Sequence, residues 1–199
     1  MRYRNFGTTG WKVSEIGFGA WQLGGDWGET DDRHSIRTLH HAFSRGINFV
    51  DTAQMYGKGR SESVVGQALK EWSGDRIYVA TKVQPTAWPS PSEDRPTMRR
   101  RYPRWYLKQA VDDSLARLQV ERIDLFQLHC WVPVGAIELD WLETLNEMRI
   151  AGKIDRIGVS IRDYRPEDGV ELAKLNLVSS MQVVFNLFEQ RPAGPLFHA

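Results

Sequence analysis

A single cysteine, Cys130, in 199 residues rules out an intrachain disulfide framework and suits a reducing compartment, so a cytoplasmic location is expected. No stretch approaches the ~20 apolar residues of a membrane-spanning helix. The N-terminal segment MRYRNFGTTGWKVSEIGFG also lacks the continuous apolar core of a secretory leader. Excess charge is missing as well: 26 Lys and Arg against 25 Asp and Glu leave a formal charge of +1, too weak a field to gather nucleic acid or an anionic membrane. A small-molecule partner is expected instead. On the same ground the basic run TMRRRYPR reads as a solvated loop. Neither G-x-x-x-x-G-K-[ST] nor G-x-S-x-G occurs, which removes the phosphate-binding loop and the hydrolase nucleophile elbow. His34, His40 and His41 crowd one segment, but no acid or cysteine completes a ligand set, so they read as solvated histidines and no metal is expected.

What is present is ordinary globular material, 41% hydrophobic and 26% charged, enough for one substantial core and a single domain over 1–199. The sequence is organised around Ile47 to Tyr56, INFVDTAQMY, an apolar run that stops on a carboxylate with a tyrosine on the turn beyond. Two later runs stop in the same way, IYVATK on Lys82 and IDLFQLH on His129. Before the first lie two short alternating pieces, Arg4 to Phe6 and Val13 to Phe18, joined by GTTG, which read as a hairpin. Gly17, Gly19, Gly24 and Gly25 surround Trp21, a pattern suited either to a buried tryptophan or to an aromatic projecting beside a ligand. Thr30, Asp31 and Asp32 open a helix carrying Ile36, Leu39, Ala42 and Phe43 on one face, stopped by Gly46. A second helix, with Ser61 as its cap, carries Val64, Val65, Ala68, Leu69 and Trp72. After strand Ile77 to Lys82 comes the longest irregular loop, Gln84 to Pro103. Helix Trp105 to Leu118, strand Ile123 to His129, helix Leu139 to Ala151, strand Ile154 to Ser160, a helix opened by Pro166 and strand Met181 to Leu187 complete the series.

Strands alternating with helices imply parallel pairing, either in an open doubly wound sheet or in a barrel. The dinucleotide fingerprint of the open sheet fails: Gly57 and Gly59 are followed by Glu62 instead of a third glycine, and the second strand ends on Lys82, not on an acid for a ribose. A parallel barrel opens all its strand C-termini onto one face, where side chains from different strands converge. Asp51, Tyr56, Lys82 and His129 would meet there. Each alone has an ordinary structural explanation: an ion pair, a loop tyrosine, a satisfied histidine. Together they suit reversible proton transfer to a carbonyl oxygen. Lys82, held charged by Asp51, would lower the Tyr56 pKa, and His129 would bond the substrate oxygen. No side chain supplies hydride, so a cofactor must.

The segments GFGAWQLGG, INFVDTAQMYGKGRSESVVGQAL, ATK, SLARLQVERIDLFQLH, KIDRIGVS and MQVVFN make the sequence resemble the aldo-keto reductases nearly from end to end. The resemblance implies an α/β fold, a TIM (β/α)8 barrel closed at the bottom by an N-terminal β-hairpin, truncated at its C-terminal end so that about five of its eight strands are present. It implies an NADP-dependent reductase of aldehydes or ketones, with NADPH used more often than NADH. By the same resemblance Tyr56 is the acid and base, Lys82 and Asp51 its tuning pair and His129 the orienting group. Ser160 and Gln182 would hold the nicotinamide carboxamide, and Trp21 would line the substrate site. Ile161 departs from the asparagine that many members carry after the serine. A regulatory, non-catalytic barrel subunit is the alternative, which a degraded tetrad would have favoured. Oligomeric state is not legible. A part barrel of this kind would expose two sheet edges, MQVVFNL at one of them, and is expected to associate or aggregate rather than persist as an active monomer.

Overall fold

The computed structural model describes residues 1–90 and 97–199; the part of the Gln84 to Pro103 loop numbered 91–96 lies outside them. Strands β1 (Tyr3–Asn5) and β2 (Lys12–Ser14) form an antiparallel hairpin. A second sheet runs in the order β3 (Phe18–Gly19), β4 (Phe49–Asp51), β5 (Tyr78–Val83), β6 (Ile123–Leu128), β7 (Ile154–Ser160) and β8 (Ser180–Gln182), every pair parallel. Spatial order follows sequence order, and helices fill the crossovers, as parallel pairing demands. These are α1 (Asp32–Ser44), α2 (Arg60–Glu71), α3 (Met98–Arg101) with α4 (Arg104–Leu118), α5 (Asp140–Ile150) and α6 (Val170–Leu175). The result is a curled part of a barrel with the hairpin at one end. No described helix is long and apolar enough to cross a membrane.

Register sorts the strand side chains onto two faces. Val50, Val79, Val83, Phe126, Leu128 and Val159 point outward and share one core with the helix residues Leu39, Phe43, Val65, Leu107, Val111 and Leu145. Their neighbours in sequence point inward, because side chains alternate along a strand. Phe49 pairs with Tyr78, then Asp51 with Ala80 and Ala80 with Leu125, then Lys82 with Gln127 and Gln127 with Gly158, and last Ser160 with Gln182. These inner residues form layers from an aromatic floor to a polar rim. At the floor the hairpin inserts Phe6 and Trp11: Trp11 stacks on Tyr78 at 5.0 Å, and Phe6 on Phe49 at 5.4 Å and Trp11 at 5.7 Å.

Several expectations change in detail. The parallel sheet has six strands where about five were expected, because Phe18–Gly19 pairs with β4 and does not extend the hairpin. A two-residue strand is too short to show a period. At the other edge only Ser180–Gln182 pairs; the apolar remainder of MQVVFNL leaves the sheet, with Leu187 86% exposed. Asp31 caps α1 through the Arg33 and His34 amides, and Gly46 follows in the left-handed region at φ +89°. Ser61 is not a cap: Gly59 holds that position, and the buried Ser61 Oγ donates to the Ala20 carbonyl at 2.6 Å, tying α2 to the end of β3. His40 is not solvated, since its Nε2 bonds the Ala68 carbonyl at 2.9 Å and joins α1 to α2. The basic run 97–104 is not a solvated loop either. Arg101 is buried within α3, Arg99 pairs with Asp140 at 2.7 Å, and Arg104 pairs with Glu147, so the run anchors the α3–α4 region to α5.

Candidate active site

Strand β4 delivers Asp51 at its last residue, β5 delivers Lys82 at its last but one, and His129 follows directly on β6. Because Asp51 pairs with Ala80, Lys82 stands two residues further along the same inner face, one layer above the carboxylate. Its ammonium has three donors and three acceptors: Asp51 Oδ2 at 2.8 Å, the Thr52 carbonyl at 2.8 Å and the Tyr56 phenol oxygen at 3.3 Å. Lys82 is 1% exposed. Burial pulls its pKa below the usual lysine value, and Asp51 opposes that pull through its charge and its hydrogen bond.

Tyr56 opens a 3₁₀ turn, Tyr56–Gly59, above the β4 end. The Trp21 ring stacks against its phenol ring at 5.6 Å and 17°, and the His129 imidazole meets it edge-on at 5.8 Å and 83°. The turn lies hard against the preceding one, Trp21–Gly24. A Cβ on Gly57 would sit 2.1 Å from the Gly24 carbonyl oxygen, and one on Gly24 would sit 2.6 Å from the Gly57 nitrogen. Gly57 also has φ +58°, so both positions require glycine.

The phenol departs from expectation: its pKa is raised, not lowered, first by burial and then by the negative charge of Asp51. Lys82 sits closer to Asp51 and Thr52 than to the phenol, so desolvation prevails. Tyr56 is therefore a firmly protonated acid whose oxygen already accepts from Lys82, leaving its own O–H to donate elsewhere. His129 is pushed down to about 3 by burial and by the Lys82 charge, so the ring is neutral at physiological pH. Its Nδ1 is buried and has no hydrogen-bond partner among the described residues.

These groups face a cavity of about 530 Å³. Trp21, Met55, Trp88 and Pro89 form its apolar lining; Ser160, Ile161, Gln182 and Val183, from β7, β8 and the residues that follow them, are also on its surface. The Gln182 amide donates to Asp51 Oδ2 at 3.1 Å, which links β8 to the central pair. A hydroxyl and a primary amide beside apolar Ile161 and Val183 suit a flat ring bearing a carboxamide, so these residues fit the nicotinamide end of a dinucleotide. Arg162 also lines the cavity, but its guanidinium is held by Asp168 at 2.5 Å.

The structure thus brings Asp51, Tyr56, Lys82 and His129 into one contact cluster and places Ser160, Gln182 and Trp21 on the same cavity. Among the described residues no group of histidine, cysteine and acid side chains is arranged to hold a metal ion. Sequence reasoning missed Trp88, whose ring meets His129 edge-on at 6.4 Å, and Cys130, which is buried at the cavity with its thiol pushed up to about 11. Trp88 lies in the aperiodic Pro-rich loop, where position carries no signal. Cys130 had one available signal, its place next to His129.

A family model described as the aldo/keto reductase family matches residues 15–198. Aldo-keto reductase YhdN of Bacillus subtilis (strain 168) is 38% identical over 192 residues, which is 96% of this chain and 55% of that protein. The NADH-specific methylglyoxal reductase of Escherichia coli (strain K12) is 35% identical over 182 residues, which is 82% of this chain and 55% of that protein. Among solved structures, the aldo/keto reductase from Klebsiella pneumoniae in complex with NADP and acetate aligns with a TM-score of 0.75 at 26% identity, over 100% of this chain and 64% of that one. The chain therefore spans about half the length of the curated relatives it matches.

Proposed function

The chain belongs to the aldo/keto reductase family, and from that premise we propose that it reduces aldehyde or ketone carbonyls to alcohols with a reduced nicotinamide dinucleotide. NADPH is the first candidate, as in the Klebsiella complex, and NADH the second, as in the Escherichia coli relative. The observation that carries the reading is the Lys82 ammonium, bonded at once to Asp51 and to the Tyr56 oxygen at the rim of the cavity. A structural ion pair has no need of a phenol, and that phenol has no need of a cavity.

When bound, the dinucleotide supplies the hydride that the protein's own residues lack. Ser160 and Gln182 would hold its carboxamide beside the rim. The substrate oxygen enters between Tyr56 and His129. The neutral His129 ring donates an N–H to that oxygen and orients the carbonyl. As the carbonyl carbon gains the hydride, its oxygen becomes basic and takes the Tyr56 proton; the phenolate left behind lies 3.3 Å from the Lys82 ammonium, which offsets its charge. Lys82 thus acts on the ionised form of Tyr56 during transfer, while burial keeps the resting phenol protonated. The complete cluster also weighs against the non-catalytic subunit reading.

Tyr56→Phe tests the assignment. The expected result is a ~100- to ~10,000-fold loss of carbonyl reduction, with cofactor affinity, read by tryptophan quenching, nearly unchanged. A variant that keeps most of its kcat would sink the proposal.

A further inference from the structure

We propose that Asp26 is a positioning residue: its carboxylate holds the Trp21 indole flat against the Tyr56 phenol and so fixes an aromatic wall of the cavity that favours carbonyls bearing a flat apolar substituent. The specificity half rests on the carbonyl-reductase reading above; the clamp itself does not.

A single oxygen, Asp26 Oδ2, accepts from Trp21 Nε1 at 3.2 Å and from the Gly57 backbone N–H at 3.2 Å. It therefore bridges the two turns that carry Trp21 and Tyr56. Their backbones are already in contact at Gly24 and Gly57, so the turns cannot slide closer. What remains free is rotation of the Trp21 side chain. That ring is 45% exposed and lacks the packing that normally locks a tryptophan rotamer. Besides Tyr56 beneath it, the Trp27 ring touches it edge-on at 5.2 Å, and Trp27 is itself 65% exposed. The bond to Asp26 is what distinguishes the observed 17° stack from other rotamers.

The position of the wall matters for substrate choice. Trp21, Met55, Trp88 and Pro89 contribute rings and an apolar side chain and no charge to the cavity. A flat apolar group on the carbonyl carbon would be covered by Trp21 only while the indole lies parallel to the phenol. An aromatic pairing of this sort is worth roughly 0.5–1.5 kcal/mol, about 2- to 10-fold in affinity.

The test compares Asp26→Ala with Asp26→Asn in the full chain. In ¹⁵N-labelled protein, the Trp21 indole resonance is identified by its loss in Trp21→Phe. Asp26→Ala should move that resonance and speed its exchange with water, whereas Asp26→Asn, which keeps one carbonyl oxygen for both bonds, should restore it. With NADPH, Asp26→Ala should raise KM for benzaldehyde roughly 2- to 10-fold at nearly constant kcat, and leave KM for propanal much less affected. An unmoved indole resonance in Asp26→Ala would overturn the clamp. A freed indole with the same KM ratio for the two aldehydes would overturn the specificity. If the unaltered protein turns over neither aldehyde, the carbonyl reading fails and the specificity with it, and the indole resonance alone decides the clamp.

Discussion

The two ends of the inner face are built from the same strands and do opposite work. β4 begins on Phe49 and ends on Asp51; β5 begins on Tyr78 and reaches Lys82 four residues later. At the floor these strands meet the hairpin rings of Phe6 and Trp11 in an aromatic stack, with the Arg76 guanidinium over the Tyr78 ring at 5.0 Å and Arg156 donating to the Thr9 carbonyl of the hairpin at 3.3 Å. At the rim they carry a buried ammonium, a carboxylate and a protonated phenol around a cavity. The floor buries apolar area, the main favourable contribution to folding. The rim takes charge out of water, which costs several kcal/mol per ion before pairing offsets it. The proposed chemistry is therefore concentrated at the end that carries the buried ion pair, and the floor holds the strands that place it.

Three perturbations would break or sharpen that contrast. On the proposed reading, Lys82→Met should have the largest effect, a ~100- to ~10,000-fold loss of carbonyl reduction, because nothing then offsets the phenolate. It should also destabilise the fold, by less than the ~3–5 kcal/mol of a fully buried pair, because the Asp51 carboxylate left without its ion-pair partner is part-exposed and keeps the Gln182 amide. Steady-state kinetics and a urea melt on the same sample would show whether rim and floor separate. Trp11→Ala should act on stability alone, costing ~3–5 kcal/mol as a large buried aromatic is lost, with the Lys82 to Tyr56 geometry retained in whatever fraction stays folded. An equal loss of kcat per folded molecule would show that the two ends are not separable.

Titration probes the rim in a third way. The His129 pKa lies at about 3 in the folded protein against 6.5 for the free side chain, so between those values the unfolded state binds a proton that the native state does not. Stability should therefore fall as pH drops from 6.5 toward 3, and His129→Gln should flatten that slope relative to the unaltered protein. Identical slopes would mean that the ring is more solvated than its buried contacts indicate. On the proposed reading, activity at the alkaline side should behave differently, because the raised Tyr56 pKa keeps the phenol protonated past the ordinary tyrosine value of ~10.

Much of the rim was legible because three apolar runs end on ionisable residues, and a run long enough to span a sheet announces both its strand and its exit. Asp51, Lys82 and His129 follow from that alone. The floor was less legible: Phe6 and Trp11 flank the hairpin turn and Tyr78 opens a strand, and nothing in their spacing says which rings will meet. β3 has no period to read in two residues, and β8 ends short of its expected length because the apolar VVFNL that follows Gln182 is unpaired. The Tyr56 pKa runs opposite to expectation because burial, which a sequence does not display, acts on the phenol more strongly than any neighbouring charge. Asp26 was invisible, since a carboxylate among glycines looks like a turn until its partners, Trp21 and Gly57, are placed in space.

The strict alternation along β5 also determines how this gene can tolerate insertions and deletions. Tyr78, Ala80 and Lys82 face inward, while Val79, Thr81 and Val83 face the helices, with the Thr81 hydroxyl bonded to the buried Glu62 carboxylate at 2.6 Å. Losing the Tyr78 codon would exchange the two sets along the rest of the strand. One valine would take the place of the stacked tyrosine at the floor, another that of the lysine at the rim, and the ammonium would be driven into the outer core. One frame-preserving deletion would thus dismantle the Lys82–Asp51–Tyr56 cluster and the hairpin's docking surface together. A codon lost instead at Ser73 or Gly74, in the turn ahead of the strand, would only shorten a connection.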